Sequence, residues 1–214
     1  MKPERPARIV FSILTTCALM ILFANCGKLM RPPHPIYFYT LDYAPPIKIT
    51  EPPMAAVLRV SRFSAAPPYG SDQMFYGSTQ TGREAYAFHK WRARPAELVE
   101  SLFLRDFRES GSFAGVFSSS QRMGTTHAIE GIVESFYQKE SGERKMAVVE
   151  IAITLLSETE PDPVKRVRFQ RRYHEEEPLS SGEPRYLAEA MSRAMARLSG
   201  SVRADVAAEL NRKP

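Results

Sequence analysis

The sequence predicts an α+β domain in which two amphipathic helices pack on one face of a mostly antiparallel sheet, behind an N-terminal signal that ends on a cysteine. Three observations carry this. Apolar residues alternate with polar ones in several stretches of strand length, most clearly 127–138 and 146–157. Two longer stretches, 95–111 and 184–211, repeat apolar residues every three or four positions, which makes one helical face apolar. Ahead of both, residues 1–25 run from a basic segment into an uncharged one. Sheet and helices each leave an apolar side to cover, and stacking both helices on one sheet face covers all of them.

The N-terminus divides into a signal and a tether. Lys2, Arg5 and Arg8 precede Ile9–Ala24, sixteen residues without charge. A basic segment followed by an apolar one is a secretory signal. As a helix the run spans roughly 24 Å, short of the ~30 Å hydrocarbon core. Cys26 closes it. Three readings stand: a lipid attachment site, the end of an uncleaved anchor, or a buried or disulfide cysteine. The basic–apolar–Cys order resembles the lipobox of bacterial lipoproteins, with Ala24 at the small-residue position, Phe23 in place of the usual leucine and Asn25 in place of a small residue. That resemblance implies cleavage after residue 25 and acylation of Cys26. Gly27 follows where an aspartate would retain a lipoprotein in the inner membrane, so the expected location is the periplasmic face of the outer membrane. Cys17, the other cysteine, lies inside the signal, and no disulfide framework is expected.

Residues 26–35 form the lipidated cysteine and a Pro-rich tether, in which Pro32, Pro33 and Pro35 favour extended chain with a reach of roughly 30 Å. Residues 36–214 form the single expected domain. Its elements follow in order. Ile36–Leu41 is apolar-aromatic and predicts a first strand; APPIKITEPP, residues 44–53, is a proline-rich loop. Ala55–Phe63 alternates, and SAAPPYGSD after it predicts a surface loop. QMFYGST and EAYAFHKWRA predict a hairpin around Thr79–Gly82. Pro95 opens the first helix where its missing N–H costs nothing, and Gly111 can close it. Two long strands flank KESGERK as a hairpin, residues 163–174 predict a third neighbour, and the last helix runs from about Pro184 to Asn211 with Gly200 as a mid-helix cost or bend.

Removing residues 1–25 leaves 189 of 214 residues, enough for one domain with a sizeable core. Loss of Lys2, Arg5, Arg8 and Glu4 lowers the net charge from +5 to +3, too mild to point to nucleic acid. No P-loop, GxSxG or HExxH pattern is present. Gly70-Ser71 and Gly77-Ser78 lack activating neighbours, and His34, His89, His127 and His174 have no ligand-like spacing. No catalytic residue, metal or cofactor is expected. What remains is surface. Arg166, Arg168, Gln170 and Arg172 alternate onto one strand face, either a solvated face offset by Glu175–Glu177 or a site for anionic headgroups or an acidic partner. Tyr69, Tyr76, Tyr86 and Trp91 are core or interface anchors, with Tyr69 in its Pro-Pro loop the candidate for exposure.

These pieces together resemble the ABC-type transport auxiliary lipoprotein family. The resemblance rests on Cys26 behind its signal, Tyr39-Thr40-Leu41-Asp42, VLRVSRF, the PPY loop, the tyrosine-containing hairpin, HKWRARP opening a helix, and a final helix after three strands. It covers roughly residues 36–211. It implies a non-enzymatic envelope component that accompanies transporters carrying mammalian-cell-entry domains, which move phospholipid or other apolar molecules between membranes. It also implies an α/β sandwich, with only Cys26 as a defined functional position. The expected partners are the membrane through the lipid anchor and the periplasmic mammalian-cell-entry protein of the same system, with self-association as a further contact and Tyr69, Arg166, Arg168 and Arg172 as the docking surface. The alternative is an outer-membrane lipoprotein with a general scaffold or assembly role and no transport link.

Overall fold

The longest unit is a hairpin. The computed structural model describes residues 34–79 and 81–212, and contacts divide the chain into Met1–Pro35 and Ile36–Pro214. In the second unit, β7 (His127–Ser141) and β8 (Arg144–Ser157) pair antiparallel over their whole length. The polar stretch predicted as the turn mostly joins the ladder, because Gly142 at φ 60° lets the chain reverse in two residues between Ser141 and Arg144. A bulge at Glu134 shifts the register between Val133 and Ser135. The core face therefore passes from Ile129 and Val133 to Phe136 and Gln138, all fully buried, and both halves of β7 face the helices.

β9 (Val167–Pro178) continues the sheet antiparallel to β8. The predicted strand over 163–174 starts four residues late. Asp162 accepts a hydrogen bond from Val164 N–H at 2.9 Å and Pro163 takes the first helical position, so Pro163–Arg166 forms one helical turn, α2. At its other end the strand runs on through Glu175–Glu177.

The free edge of β7 is shared by three short strands, all parallel to it. β2 (Met54–Val60) takes the start, with Leu58 opposite His127; β3 (Ser64–Ala65), predicted as loop, takes the middle; β4 (Gln73–Gly77) takes the end, with Tyr76 opposite Gln138. β6 (Phe113–Ser118) adds parallel to β2, β5 (Glu84–Trp91) antiparallel to β4, and β1 (Tyr37–Tyr39) parallel to β5. Among the described residues the sheet is nine-stranded and mixed. The α+β class holds, with antiparallel pairing concentrated in β7–β8–β9.

Both long helices cover the same face. α1 (Pro95–Glu109) begins as expected at Pro95, with the Glu97 carboxylate accepting from Arg94 N–H at 3.2 Å, and gives way to Gly111 at φ 68°. It packs on β2, β3, β6 and β7. Phe63, Phe103, Phe107 and Phe113 succeed one another at ring separations of 5.3–6.1 Å. α3 (Pro184–Leu210) packs on β8 and β9, and passes through Gly200 without interruption. Its stripe of Leu187, Met191, Met195, Leu198, Val202 and Val206 is buried, and Ala190 and Ala194 let the helix lie close to the sheet. Each such large side chain contributes roughly 1.5–3 kcal/mol by leaving water. The helices meet at Asp106. This buried carboxylate accepts from Tyr43 OH at 2.7 Å and Ser199 Oγ at 2.6 Å, and pairs with Arg105 at 2.8 Å. Burial, then the Asp106 hydrogen bond, pushes the Tyr43 phenol well above its usual range, so it serves as a donor.

Candidate functional site

Tyr69 does not lie at the surface. Residues Pro67–Tyr69 form a tight 3₁₀ turn, and Ala66 N–H donates to Val133 O at 2.9 Å, which lays the loop down on β7. The ring is 1% exposed and meets Phe75 edge-on at 6.0 Å. Arg83 donates to its hydroxyl and stands 3.6 Å over the Tyr137 ring. Its two prolines suggested a projecting loop, but the apolar edge of β7 was available to receive the ring. The expectation of an exposed Tyr69 is corrected to a core residue.

The four residues expected on one cationic face separate as well. Arg166 belongs to α2, and its Nε donates to Glu160 O at 2.8 Å. A register shift near Leu155 and Leu156 sits opposite Arg168, which reaches Glu209 of α3 at 3.1 Å. Arg172 donates to both carboxylate oxygens of Glu134, at 2.6 and 3.1 Å. Gln170 donates to Thr154 Oγ1 at 3.3 Å. A continuous free arginine row is thus replaced by separate pairs. Cys26 lies outside the described residues.

What the structure assembles instead is a groove of about 550 Å³ over β7, β8 and β9. Ile132, 48% exposed, and Ala152 are its apolar part; Arg62, Thr154, Gln170 and the Glu134–Arg172 pair are its polar part. The bulge at Glu134 places that carboxylate against Arg172, and nothing in the local sequence marks it. On the helix side of β9, polar side chains of the strand and of α3 pair in series. Glu177 pairs with Arg193 at 2.6 Å and Arg197 at 2.7 Å, Glu175 with Arg197 at 2.9 Å, and Asp205 accepts from Tyr173 OH at 2.7 Å. Burial pushes the Glu177 carboxyl up, but the two arginines outweigh it and hold it below the usual range. Lys139, by its hydrogen bond, does the same for Glu176.

A second assembly lies across β1, β5 and β4. Tyr37 stacks on His89 at 5.3 Å, Tyr39 OH shares a 2.9 Å hydrogen bond with His89 Nδ1, and Tyr86 meets both His89 and Tyr76. Burial pushes the Tyr86 phenol up to about 12, against its hydrogen bond with Gln138. Tyr86 is thus held neutral at ordinary pH and donates to Gln138 Oε1 at 3.2 Å. Three or more His, Cys, Asp or Glu placed to hold a metal are absent among the described residues.

The fold and these surfaces define an α+β domain that presents grooves, ion pairs and aromatic rows on a rigid mixed sheet. A crystal structure of a Xanthomonas campestris protein superposes with a TM-score of 0.71 at 20% identity, covering 80% of this chain and 95% of that one. A second solved protein, described as uncharacterized, superposes at 0.59 and 11% identity, covering 81% and 99%. At such identities the likeness is one of fold. No curated protein matches the chain. The family described as ABC-type transport auxiliary lipoprotein component matches residues 39–202, and the chain belongs to it. It is therefore an auxiliary lipoprotein of ABC-type transport, a non-enzymatic role.

Proposed function

We propose that the chain is the lipid-anchored auxiliary subunit of an envelope transporter carrying mammalian-cell-entry domains, moving phospholipid or other apolar molecules between membranes. The observation that carries this is the family match over residues 39–202. Cys26 is the proposed lipid attachment site, and the periplasmic face of the outer membrane the proposed location, on the basic–apolar–Cys order and Gly27. The subunit acts by docking the periplasmic mammalian-cell-entry protein of the same system. The supporting feature is the groove beside Arg172. An exposed isoleucine flanked by a bidentate ion pair offers apolar area and a fixed charge pattern at once. Tyr69 contributes by holding the adjacent loop against β7.

Crosslinking in membranes followed by co-purification tests this. The mammalian-cell-entry protein should be recovered with the wild-type chain, and Ile132→Glu with Arg172→Glu should reduce recovery about tenfold or more, as for a central interface residue. A folded, anchored wild-type chain that recovers no such partner would favour the general scaffold role. Recovery unchanged by the double variant would place the docking surface elsewhere. Release of Cys26→Ser from the membrane fraction, or its arrest as a precursor, is the expected result for the anchor.

A further inference from the structure

The large exposed apolar side chains are unevenly placed. Ile47 and Ile49 share a proline-rich loop, Val164 and Val167 lie in and just after α2, Met123 stands in a loop and Ile132 lines the groove already described; none of these carries an exposed aromatic ring. Ile36, Tyr37, Phe38 and Phe88 gather at one margin of the sheet, at 50%, 52%, 53% and 42% exposure. The margin is β1, which ends the strand order and pairs with β5 alone. Its register sets Tyr37 beside His89 and Phe38 beside Lys90, so Ile36 lies level with Phe88. Tyr37 turns its ring onto His89, and strand alternation sends Ile36 and Phe38 to the opposite face. The result is a small exposed apolar-aromatic patch, of the kind that marks an interaction surface.

The chain itself indicates which partner. The patch begins at Ile36, directly after the tether, and only Gly27–Pro35 separate it from Cys26. From Cys26 to Leu41 the sequence carries Lys28 and Arg31 and no acid. Exposed Arg92, whose backbone N–H donates to Tyr39 O at 2.6 Å, sets a cation at the margin itself. Aromatic rings with adjoining cations match the headgroup zone of a bilayer, where rings sit at the apolar boundary and Lys or Arg meets anionic phosphates.

We propose that this margin is a second membrane contact: Ile36 and Phe38 seat in the headgroup region of the bilayer that holds the lipid on Cys26. The proposal rests on Cys26 being the anchor. The seated margin fixes one end of the sheet at the membrane and turns the lipid from a loose tether into one point of a two-point mount. β2–β6, at the other end of the strand order, then stays clear of the bilayer.

The test uses the only tryptophan, Trp91, which is 1% exposed and supplies a constant background. Full-length lipidated chain is reconstituted into phosphatidylethanolamine–phosphatidylglycerol vesicles, with or without brominated acyl chains. Phe38→Trp should add emission of which about half is lost to the bromines, whereas Ile47→Trp should be unaffected. Circular dichroism confirms that both variants fold. Vesicle-bound Phe38→Trp quenched no more than Ile47→Trp overturns the proposal and leaves the anchor standing. Blue-shifted, unquenched emission that depends on protein concentration overturns it in favour of a second copy of the chain. Failure of the wild-type chain to stay with vesicles overturns the anchor and this contact together.

Discussion

The two edges of β7 are built by opposite means. On one edge β8 and β9 run antiparallel in long ladders, each with a single register shift, and each strand follows its neighbour closely in sequence. On the other, β2, β3 and β4 each hold only two or three residue pairs, run parallel, and come from a stretch more than fifty residues upstream. A hairpin closes a loop of a few residues, whereas each parallel pairing closes a long one, and the entropy of closure rises with loop length. The antiparallel side is therefore stabilised by its own ladder, and the parallel side by what is packed over it, chiefly α1 and the phenylalanine series from Phe63 to Phe113.

The sharpest way to break the antiparallel side is through its helix. Leu198 is 1% exposed in the stripe of α3, and Leu198→Ala should cost about 2–5 kcal/mol in chemical denaturation. A loss under about 0.5 kcal/mol would mark the helix as loosely applied. The seam between the two sides comes next. A Cβ on Gly131 would run into the Phe63 ring, the anchor of the parallel side, so Gly131→Ala should cost about 1–3 kcal/mol by overpacking. Phe63→Leu in the same chain should return part of it. Additive losses would show that the two residues do not compete for the space.

The smallest effect is a difference in pH response. On the parallel side, burial and then Arg168 lower the His127 pKa, against Glu158. The unfolded chain takes up that proton near pH ~6.5 and the folded one only below, so this stability is complete above about 6.5 and drains away as pH falls through the folded value. Glu176 and Glu177 on β9 also have lowered values, and their contribution is complete above the unfolded value near ~4.3 and is lost below it. Melting temperature should thus fall in two stages on acidification. His127→Gln should remove the upper stage and leave the lower, and an unchanged upper stage would assign it to another group.

The same contrast explains what the sequence disclosed. The β7–β8 hairpin, α1 and α3 announce themselves through alternation, Pro95, Gly111 and the stripe from Leu187 to Val206, because those signals are local. β3 is two residues long, and the parallel partners of β7 leave no mark in any short window. Glu175–Glu177 looked like a charged offset to the arginines; their place in a strand depends on Arg193 and Arg197 waiting on α3. The burial of Tyr69 and the groove beside Arg172 were both illegible for one reason. Whether a loop projects or folds down, and which arginine finds which carboxylate, is set by β7 and its bulge at Glu134, long-range features that the PPY and arginine segments do not contain.

The arrangement at the N-terminal margin also determines how the domain bears a pull. Force applied at Ile36 meets β1 first, and β1 is held by three residue pairs to β5 alone. Behind it lies a firmer catch: Leu41 in the core, Asp42 N–H on Ser192 Oγ at 3.0 Å, and Tyr43 on Asp106. Tension therefore strips a short, replaceable strand and stops at a clasp tied directly to both long helices. Three released residues, at roughly 3.3 Å each, free about 10 Å of chain ahead of Leu41 before the load reaches β7, β8 and β9.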